Sequence, residues 1–181
     1  MLFNYCIPCL LGVEGLIAEE LRAMEASDVA AENGRVLFSG DENILARVNI
    51  CSRFAERVQI VVGSFKATSF EELFQGVKAL EWEAFIGDTD AFPVKGYSLN
   101  SALFSVSDCQ AIIKKAVVER LKQKYHIEWF DETGPVRQIQ FSINKDVVTI
   151  LLDTSGAGLH KRGYRSQANE APIKETLAAV L

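Results

Sequence analysis

VAAENGRVLF, residues 29–38, decides the fold of the first part of the chain. Two short runs suited to strands flank Asn33-Gly34, the dipeptide that best tolerates the positive φ angles of a tight type I′ turn. We therefore predict a β-hairpin here, with its two strands joined across Asn33-Gly34.

The segments on either side of this hairpin alternate between strand and helix patterns. Residues 2–9 read as a strand, and residues 12–26 carry apolar side chains at helical spacing. After the hairpin, Ser39 and Glu42 have the spacing of a capping box that opens a second helix, and residues 54–62 read as a fourth strand. The order β-α-β-β-α-β predicts a ferredoxin-like domain over residues 1–65.

A second unit with a different order is predicted over residues 66–155. Ser69 and Glu72 again have capping-box spacing and open a helix, and the aromatic and apolar residues within 82–86 indicate a short second helix. These two helices come before any strand of the unit, so its order differs from that of the first.

The rest of the second unit contains three strands and the longest helix of the chain. Residues 91–99 read as a strand in which Pro93 and Gly96 favour an edge position or a bulge. A long helix is predicted from Ser107, capped with Gln110, to about residue 125, before two hairpin strands at 137–143 and 147–152. The order α-α-β-α-β-β makes the whole chain a mixed α+β protein.

Residues 156–181 are predicted to be a basic linker followed by a helix. The stretch 153–169 is polar and glycine-rich, and Pro172 stands at a first-turn position before Ile173, Leu177 and Val180 at helical spacing. This apolar stripe meets no C-cap glycine. We therefore expect the natural polypeptide to continue beyond this helix.

Composition limits the class of protein. With 49% hydrophobic and 24% charged residues in 181, the chain is globular rather than disordered, and no uncharged apolar run reaches the length of a membrane span. The first residues lack a basic secretory signal, so a cytoplasmic protein is expected. The net charge of −5 hides a polarity: residues 1–94 carry 7 Lys and Arg against 15 Asp and Glu, whereas residues 95–181 carry 12 against 9. We expect the second half to face a polyanion.

Motifs for other chemistry are incomplete. Cys6 and Cys9 have the spacing of a redox pair or half a zinc site, but they lie within a predicted strand and no second C-x-x-C exists. The glycines after Asp153 match neither a phosphate loop nor a dinucleotide fingerprint, and the two histidines, His126 and His160, have no clear catalytic partner in sequence. We predict no catalytic residue, no metal site and no cofactor site within this chain.

Basic residues of the second half suggest contacts with a nucleic-acid backbone. The long helix carries several lysines and a single glutamate from Gln110 onward, the linker adds cations around an aromatic residue, and a cation with small hydroxyl donors precedes the helix. We expect one locally cationic surface built from the helix and the linker. The candidate RNA-binding residues are Lys95, Ser98, Ser101, Lys114, Lys115, Lys122, Lys161, Arg162, Tyr164 and Arg165.

Two parts of the chain, each made of several short runs, resemble a known family. FPVKGYS (92–98) with the following Ser101, Asp108-Cys109-Gln110 and IKKAV (113–117) is similar to the central signature of a THUMP domain. LDTSG (152–156), GLHKRGYR (158–165) and APIKETLAA (171–179) resemble the junction between this domain and the catalytic domain of bacterial THUMP methyltransferases. Members have been described as large-subunit rRNA guanine-N2 methyltransferases and as predicted N6-adenine-specific DNA methylases.

The resemblance implies a ferredoxin-like domain and a THUMP domain that recruit RNA for an S-adenosylmethionine-dependent methyltransferase. It implies that structured RNA, most of all large-subunit rRNA, and the methyltransferase domain of the same polypeptide are the partners. The cofactor, S-adenosylmethionine, is expected on that catalytic domain, whose motifs do not occur in these residues. The alternative is a ferredoxin-like module that senses a ligand or oligomerises without binding RNA.

Overall fold

The computed structural model describes residues 2–163 and 173–181. By their internal contacts, the residues form two compact units: the first comprises residues 1–60 together with 154–181, and the second comprises residues 61–153. Strand β4 (Gln59–Lys66) begins in the first unit and ends in the second. The mixed α/β class is confirmed, with both helices and strands in each unit.

The first unit has the predicted β-α-β-β-α-β order. Its strands lie in the order β2 (Ser27–Glu32), β3 (Arg35–Gly40), β1 (Phe3–Pro8) and β4, and the pairs are antiparallel. Alternate residues of β1 and β3, among them Tyr5, Ile7 and Phe38, are buried against Ile17 and Leu21 of the first helix. The helices are α1 (Glu14–Ala23), between β1 and β2, and α2 (Glu42–Cys51), after β3.

The predicted hairpin across Asn33-Gly34 is confirmed, because Glu32 pairs with Arg35, but its turn is not of type I′. Gly34 has φ +76°, whereas Asn33 does not adopt a positive φ, and a type I′ turn needs both. Gly34 is instead held by tertiary contacts: its N–H donates to the Glu14 carboxylate at 2.9 Å, and its carbonyl accepts the N–H of Cys9 at 2.9 Å. Hydrogen bonds to residues outside the hairpin therefore hold Gly34 in this turn.

The predicted cap of α2 is also wrong. Strand β3 extends through Ser39 to Gly40, and Asp41 is the N-cap, accepting the N–H of Ile44 at 2.9 Å. Ser39 is used differently, because its hydroxyl donates to Asn4 of the neighbouring strand at 2.9 Å. Strand pairing therefore outweighs the capping-box spacing of Ser39 and Glu42.

The sheet of the second unit has the order β4, β7 (Val147–Asp153), β6 (Ile139–Asn144) and β5 (Val94–Leu99). Strand β5 lies at the edge, one of the two features that Pro93 and Gly96 indicate. Strand β5 is parallel to β6, and β6 is antiparallel to β7. The predicted second helix is a single 3₁₀ turn at Trp82–Ala84. The α-helices of the unit are α3 (Phe70–Lys78) and α4 (Val106–Tyr125).

Of the two helix caps predicted in this unit, one is confirmed and one is wrong. The capping box of Ser69 and Glu72 on α3 is confirmed in full. The predicted start of α4 at Ser107 is wrong, because the helix is preceded by Ser105 as N-cap and begins at Val106. Gln110 does not cap it either; its side chain donates to the carbonyl of Val94 at 3.1 Å and so ties α4 to β5.

The hairpin between β6 and β7 has the turn expected of the first one. Asn144 pairs with Val147, so Lys145 and Asp146 form a two-residue loop, and both have positive φ angles of 51° and 61°. That is the backbone pattern of a type I′ turn. It occurs without glycine, in a loop whose Asp146 accepts the N–H of Ala102 at 2.8 Å.

The segment after β7 packs within the first unit. A 3₁₀ turn covers Leu159–Lys161, and a short helix, α5, covers Glu175–Ala178. The helix is shorter than the sequence indicates, and its predicted start at Pro172 lies outside the described residues. Leu159 and Val180 pack partly against the core of the first unit. Within residues 2–163 and 173–181, no helix is long and apolar enough to cross a membrane.

Candidate nucleic-acid interface

The two faces of the sheet in the second unit differ in burial. One packs against α3 and α4, and the other has exposed residues on its edge strand and the buried Ser142 and Leu151, each 8% exposed, farther in. Side chains alternate along a strand, so Ile139, Phe141 and Ile143 of β6 share a face with Val148 and Ile150 of β7. All five are at most 1% exposed, and together with the buried residues of α3 and α4 they form the core of the unit. The intervening residues project from the opposite side.

We call that opposite side the outer sheet face, and strand register arranges it in three rows. Each row takes one residue from β5, one from β6 and one from β7. The rows are Lys95, Gln140 and Leu151; Tyr97, Ser142 and Thr149; and Leu99, Asn144 and Val147. Tyr97 is 54% exposed and Leu99 is 55% exposed. Of the predicted residues, only Lys95 lies on this face.

Ser98 and Ser101 shape the loop between β5 and α4. The Ser98 hydroxyl donates to the carbonyl of Leu103 at 2.6 Å, and the Ser101 hydroxyl donates to the carbonyl of Leu99 at 2.8 Å. Ser101 also accepts the N–H of Asp146 at 3.0 Å. Since a hydroxyl has one hydrogen to donate, both donors already have protein acceptors in this structure.

Lys114 is held by three groups of its own unit. Its ammonium forms an ion pair with Glu132, donates to the carbonyl of Phe92 at 3.1 Å and lies 3.5 Å from the centre of the Phe92 ring. The same ring packs edge-on against Phe130. Lys114 therefore fastens the segment after α4 to the segment before β5, and its charge is balanced by a carboxylate.

Arg120 is another cation of α4 that already has a partner. Its guanidinium makes two hydrogen bonds to the Glu83 carboxylate, at 2.6 and 3.0 Å. These bonds lower the pKa of the Glu83 carboxyl below its ordinary value and raise the pKa of Arg120. The pair joins α4 to the 3₁₀ turn that precedes β5.

Lys115 and Lys122 are the outward-facing cations among the predicted residues of α4. They are seven residues apart, so they lie on the same side of the helix, with Glu119 between them. Lys115 is exposed and its ammonium lies 5.8 Å from the centre of the Phe74 ring, and Lys122 is half-buried. These two lysines project from the helix layer.

Lys161 and Arg162 belong to the first unit. Lys161 is exposed, whereas the guanidinium of Arg162 donates to the carbonyls of Asn49 and Ile50, both at 2.7 Å. These carbonyls belong to the last turn of α2, where intrahelical partners are missing. Arg162 therefore caps α2, a role that its charge alone did not indicate. Tyr164 and Arg165 lie outside the described residues.

The predicted residues are thus brought together only in part. Within the second unit, Lys95 projects from the outer sheet face and Lys115 and Lys122 project from α4, which packs on the other face. Lys95 is therefore not on the same side of the unit as the two lysines of α4. The expected cationic surface of the long helix and the linker involves residues of both units and stays a prediction. Tyr97 and Leu99 were missed as surface residues, although their alternation with Val94, Gly96 and Ser98 in a predicted edge strand was a signal.

The cysteines of the C-x-x-C motif are ordinary packed thiols. Cys6 lies within β1 and is buried, and Cys9 follows the strand. Burial raises the pKa of each thiol to about 11, so both are protonated at neutral pH. A redox nucleophile needs the opposite shift.

Comparisons with known proteins agree with the two-part organisation. Residues 4–59 match the RlmL ferredoxin-like domain, and residues 67–153 match the THUMP domain. Residues 4–59 are thus an RlmL ferredoxin-like domain, and residues 67–153 are a THUMP domain. The first domain corresponds to the β-α-β-β-α-β part of the structure, and the THUMP domain contains the outer sheet face and α4.

Relatives of known name are RNA methyltransferases. The chain is 46% identical over 173 residues to YpsC of Bacillus subtilis, named as an RNA methyltransferase, covering 94% of this chain and 45% of that protein. It is 30% identical over 180 residues to the ribosomal RNA large subunit methyltransferase K/L of Cellvibrio japonicus, covering 99% of this chain and 24% of that protein. The chain therefore spans half or less of the length of these relatives.

Solved structures share the fold and carry methylase names. A predicted N6-adenine-specific DNA methylase from Listeria monocytogenes superimposes with a TM-score of 0.94 at 48% identity, covering 99% of this chain and 47% of that one. SMU.472, described as a methyltransferase and solved in complex with SAH, superimposes with a TM-score of 0.92 at 43% identity, covering 98% and 47%. The expectation of a ferredoxin-like domain and a THUMP domain, similar to those of methyltransferases, is confirmed.

Proposed function

We propose that this chain is the RNA-binding, substrate-recruiting part of an RNA methyltransferase that acts in the cytoplasm. The observation that carries the proposal is the THUMP domain at residues 67–153 within a chain whose relatives are RNA methyltransferases along almost its whole length. The substrate is large-subunit rRNA and the reaction is methylation of guanine N2. The name of the Cellvibrio japonicus relative supports the ribosomal substrate.

Catalysis in this proposal belongs to a further domain of the same polypeptide. The proposed domain boundaries are the ones predicted from the sequence. They give a ferredoxin-like domain at 1–65, a THUMP domain at 66–155, and a basic linker with the first helix of the methyltransferase domain at 156–181. S-adenosylmethionine is the methyl donor on that further domain. Support comes from SMU.472, which was solved with SAH, the product that remains after S-adenosylmethionine gives up its methyl group.

The RNA contacts divide by what the side chains already bind. Lys95, Lys115, Lys122 and Lys161 contact phosphates, because their charged ends project from the surface of their units. Ser98, Ser101, Lys114 and Arg162 are also proposed at the interface, where they act by holding the surrounding backbone as well as by contact. Tyr164 and Arg165 complete the proposed set. Phosphate contacts of this kind position RNA without reading its sequence.

Salt dependence tests the electrostatic part of this proposal. The chain is titrated with a structured rRNA fragment at about 50 and about 200 mM salt. Binding is expected to be at least tenfold weaker at the higher concentration, because each phosphate contact releases counterions. The double variant Lys115→Gln, Lys122→Gln is expected to bind about tenfold more weakly and with a shallower salt slope.

The matched control is Arg22→Gln, which removes one exposed cation from α1 of the ferredoxin-like domain. Its affinity is expected to stay within twofold of the original chain. Equal binding at both salt concentrations, or equal loss in the control and the double variant, would reject the proposed phosphate contacts. A small molecule bound tightly, with no RNA retained, would favour the ligand-sensing alternative.

A further inference from the structure

The middle row of the outer sheet face combines an aromatic ring with hydroxyl groups. Tyr97 at the edge strand is followed across the sheet by Ser142 and Thr149. The next strand, β4, adds Ser64, whose hydroxyl donates to the carbonyl of Val148 at 3.0 Å and lies 3.4 Å from the Thr149 hydroxyl. Ser142 is 8% exposed, whereas Tyr97 is 54% exposed. The accessible part of this row is therefore the Tyr97 ring at the edge strand.

The rows on either side complete this surface chemically. Lys95 and Gln140 lie on one side of Tyr97, and Leu99 and Asn144 lie on the other. Among the residues that alternation places on this face in β5, β6 and β7, the one carboxylate is Asp153, beyond the Lys95 row at the end of β7. A cation, two amides and an exposed ring with a neighbouring leucine side chain therefore share one face.

We propose that the outer sheet face binds an unpaired nucleotide of the RNA, whose base stacks on Tyr97. The inference rests on the proposed RNA-binding function and adds the place and the class of nucleotide. Leu99 extends the apolar contact beside the ring, and Lys95, two residues from Tyr97 on the same face of β5, contacts the phosphate. Gln140 and Asn144 offer both donors and acceptors to the edges of bases.

The position of Tyr97 favours a single-stranded segment over a duplex. Bases inside a duplex present only their edges in the grooves, whereas bases of loops, bulges and ends can be splayed out and stacked on aromatic side chains. Tyr97 stands on the outermost strand of the unit's sheet and more than half of it is exposed. A splayed base can reach such a ring without distortion of the sheet.

Fluorescence of 2-aminopurine tests the stacking directly. An RNA with one 2-aminopurine in a five-nucleotide loop is titrated with the chain; stacking on Tyr97 is expected to quench its emission beyond the quenching that binding to Tyr97→Ser produces. Tyr97→Ser is expected to lose about tenfold in affinity, and Tyr97→Phe, which keeps the ring, is expected to stay within twofold.

The matched control is Trp129→Ser, which removes an aromatic residue that is 80% exposed and lies outside the outer sheet face. It is expected to bind and to quench like the original chain. Because Tyr97→Ser alters a strand, circular dichroism and thermal melting accompany each variant. A second measurement needs no variant: RNA with 5-iodouridine in the loop is cross-linked to the original chain, and the adduct is expected on Tyr97.

The outcomes separate this inference from the proposed function. If the lysine variants weaken binding while Tyr97→Ser does not and the cross-link falls elsewhere, the stacking site is rejected and RNA binding stands. If no RNA binds under any condition, the proposed function fails and the stacking site with it. If Tyr97→Ser instead abolishes a concentration-dependent dimer seen by light scattering, the face binds a second copy of the chain and the nucleotide proposal is overturned.

Discussion

The outer sheet face of the THUMP domain and the segment at 154–163 both carry cations and hydroxyl groups, but they differ in what those groups bind. On the outer sheet face, Lys95 and Tyr97 are exposed. In the segment, Thr154 bonds to the carbonyl of Val58, Arg57 bonds to the carbonyl of Gly156, and Arg162 caps α2. Most of the polar groups there hold the segment against the ferredoxin-like domain. The difference teaches that a cation next to glycines is as suited to capping a helix as to binding a phosphate.

The same segment is held a second time through Glu56. The backbone carbonyl of Glu56 accepts the N–H of Leu159 at 2.9 Å, and its carboxylate accepts hydrogen bonds from Lys174 and Thr176. Thr176 is 7% exposed. One residue of the ferredoxin-like domain therefore binds both described parts of the region that follows β7, which makes this region structural.

The largest effect is expected from a substitution at Gly96 of β5, the edge strand of the outer sheet face. A Cβ added to Gly96 would lie 2.2 Å from the carbonyl oxygen of Phe141 on the paired strand, and backbone cannot move aside as a flexible side chain can. Gly96→Ala is therefore expected to cost about 3 kcal/mol or more of unfolding free energy, and to lower RNA binding with it. Urea denaturation followed by circular dichroism measures the cost.

Gly15→Ala is the control for this substitution. Gly15 lies in α1 with nothing within 4 Å of the added Cβ, so the change is expected to raise stability by about 0.5–1 kcal/mol. A stable Gly96→Ala variant with unchanged RNA binding would show that the outer sheet face tolerates displacement of β5. That result would weaken the comparison between the two regions.

The next effect concerns Arg162. Arg162→Gln removes two charge-assisted hydrogen bonds from the end of α2 and is expected to cost about 1–2 kcal/mol of stability. Its RNA affinity, measured where the variant is folded, is expected to fall no further than that of Lys161→Gln. Lys161→Gln, at the exposed neighbouring position, is expected to leave stability within about 0.5 kcal/mol of the original.

The opposite result would reverse the comparison. If Arg162→Gln melts like the original chain but binds RNA tenfold more weakly and with a shallower salt slope, the guanidinium exchanges its carbonyl partners for a phosphate. The segment at 154–163 would then be part of the interface, as its composition first indicated.

Much of the fold could be predicted from the sequence, because helices and strands in both domains carry apolar residues at the spacing of their own geometry. Hydrophobic periodicity located the long strands and helices, and Pro93 with Gly96 marked β5 as an edge. The capping box at Ser69 was identified correctly, whereas the one at Ser39 was not, because β3 extends through Ser39. Local spacing cannot weigh a cap against strand pairing, which involves residues far apart in sequence.

The candidate site was harder to predict, because a charged residue type does not reveal its partner. Lys114 and Lys115 are adjacent in sequence, yet one is paired with Glu132 and the other is exposed. Their directions differ by about 100° around the helix, and only the tertiary structure shows which direction meets a carboxylate. Tyr97 could have been predicted as a surface residue from strand alternation, whereas the rows that surround it depend on register.

The smallest effect is expected on the pH dependence of stability, from the ion pair between Arg120 of α4 and Glu83. Like Arg162, Arg120 is a cation that already has a partner. The hydrogen bonds from Arg120 lower the pKa of Glu83 in the folded state. The pair therefore stabilises the fold fully above the ordinary carboxyl pKa of about 4.3, and the stabilisation is lost as the pH falls through the lowered folded value. In Glu83→Gln this contribution is absent at every pH.

Urea midpoints at pH 7 and pH 3 measure it. The original chain is expected to lose more stability between these values than Glu83→Gln does, by about 1 kcal/mol or less, as for other partly exposed pairs. Because Lys115 and Lys122 are not in this pair, the RNA affinity of Glu83→Gln at pH 7 is expected to be unchanged. Weaker binding in a folded Glu83→Gln would instead mean that freed Arg120 disturbs α4, and that even a paired cation governs how the neighbouring lysines meet RNA.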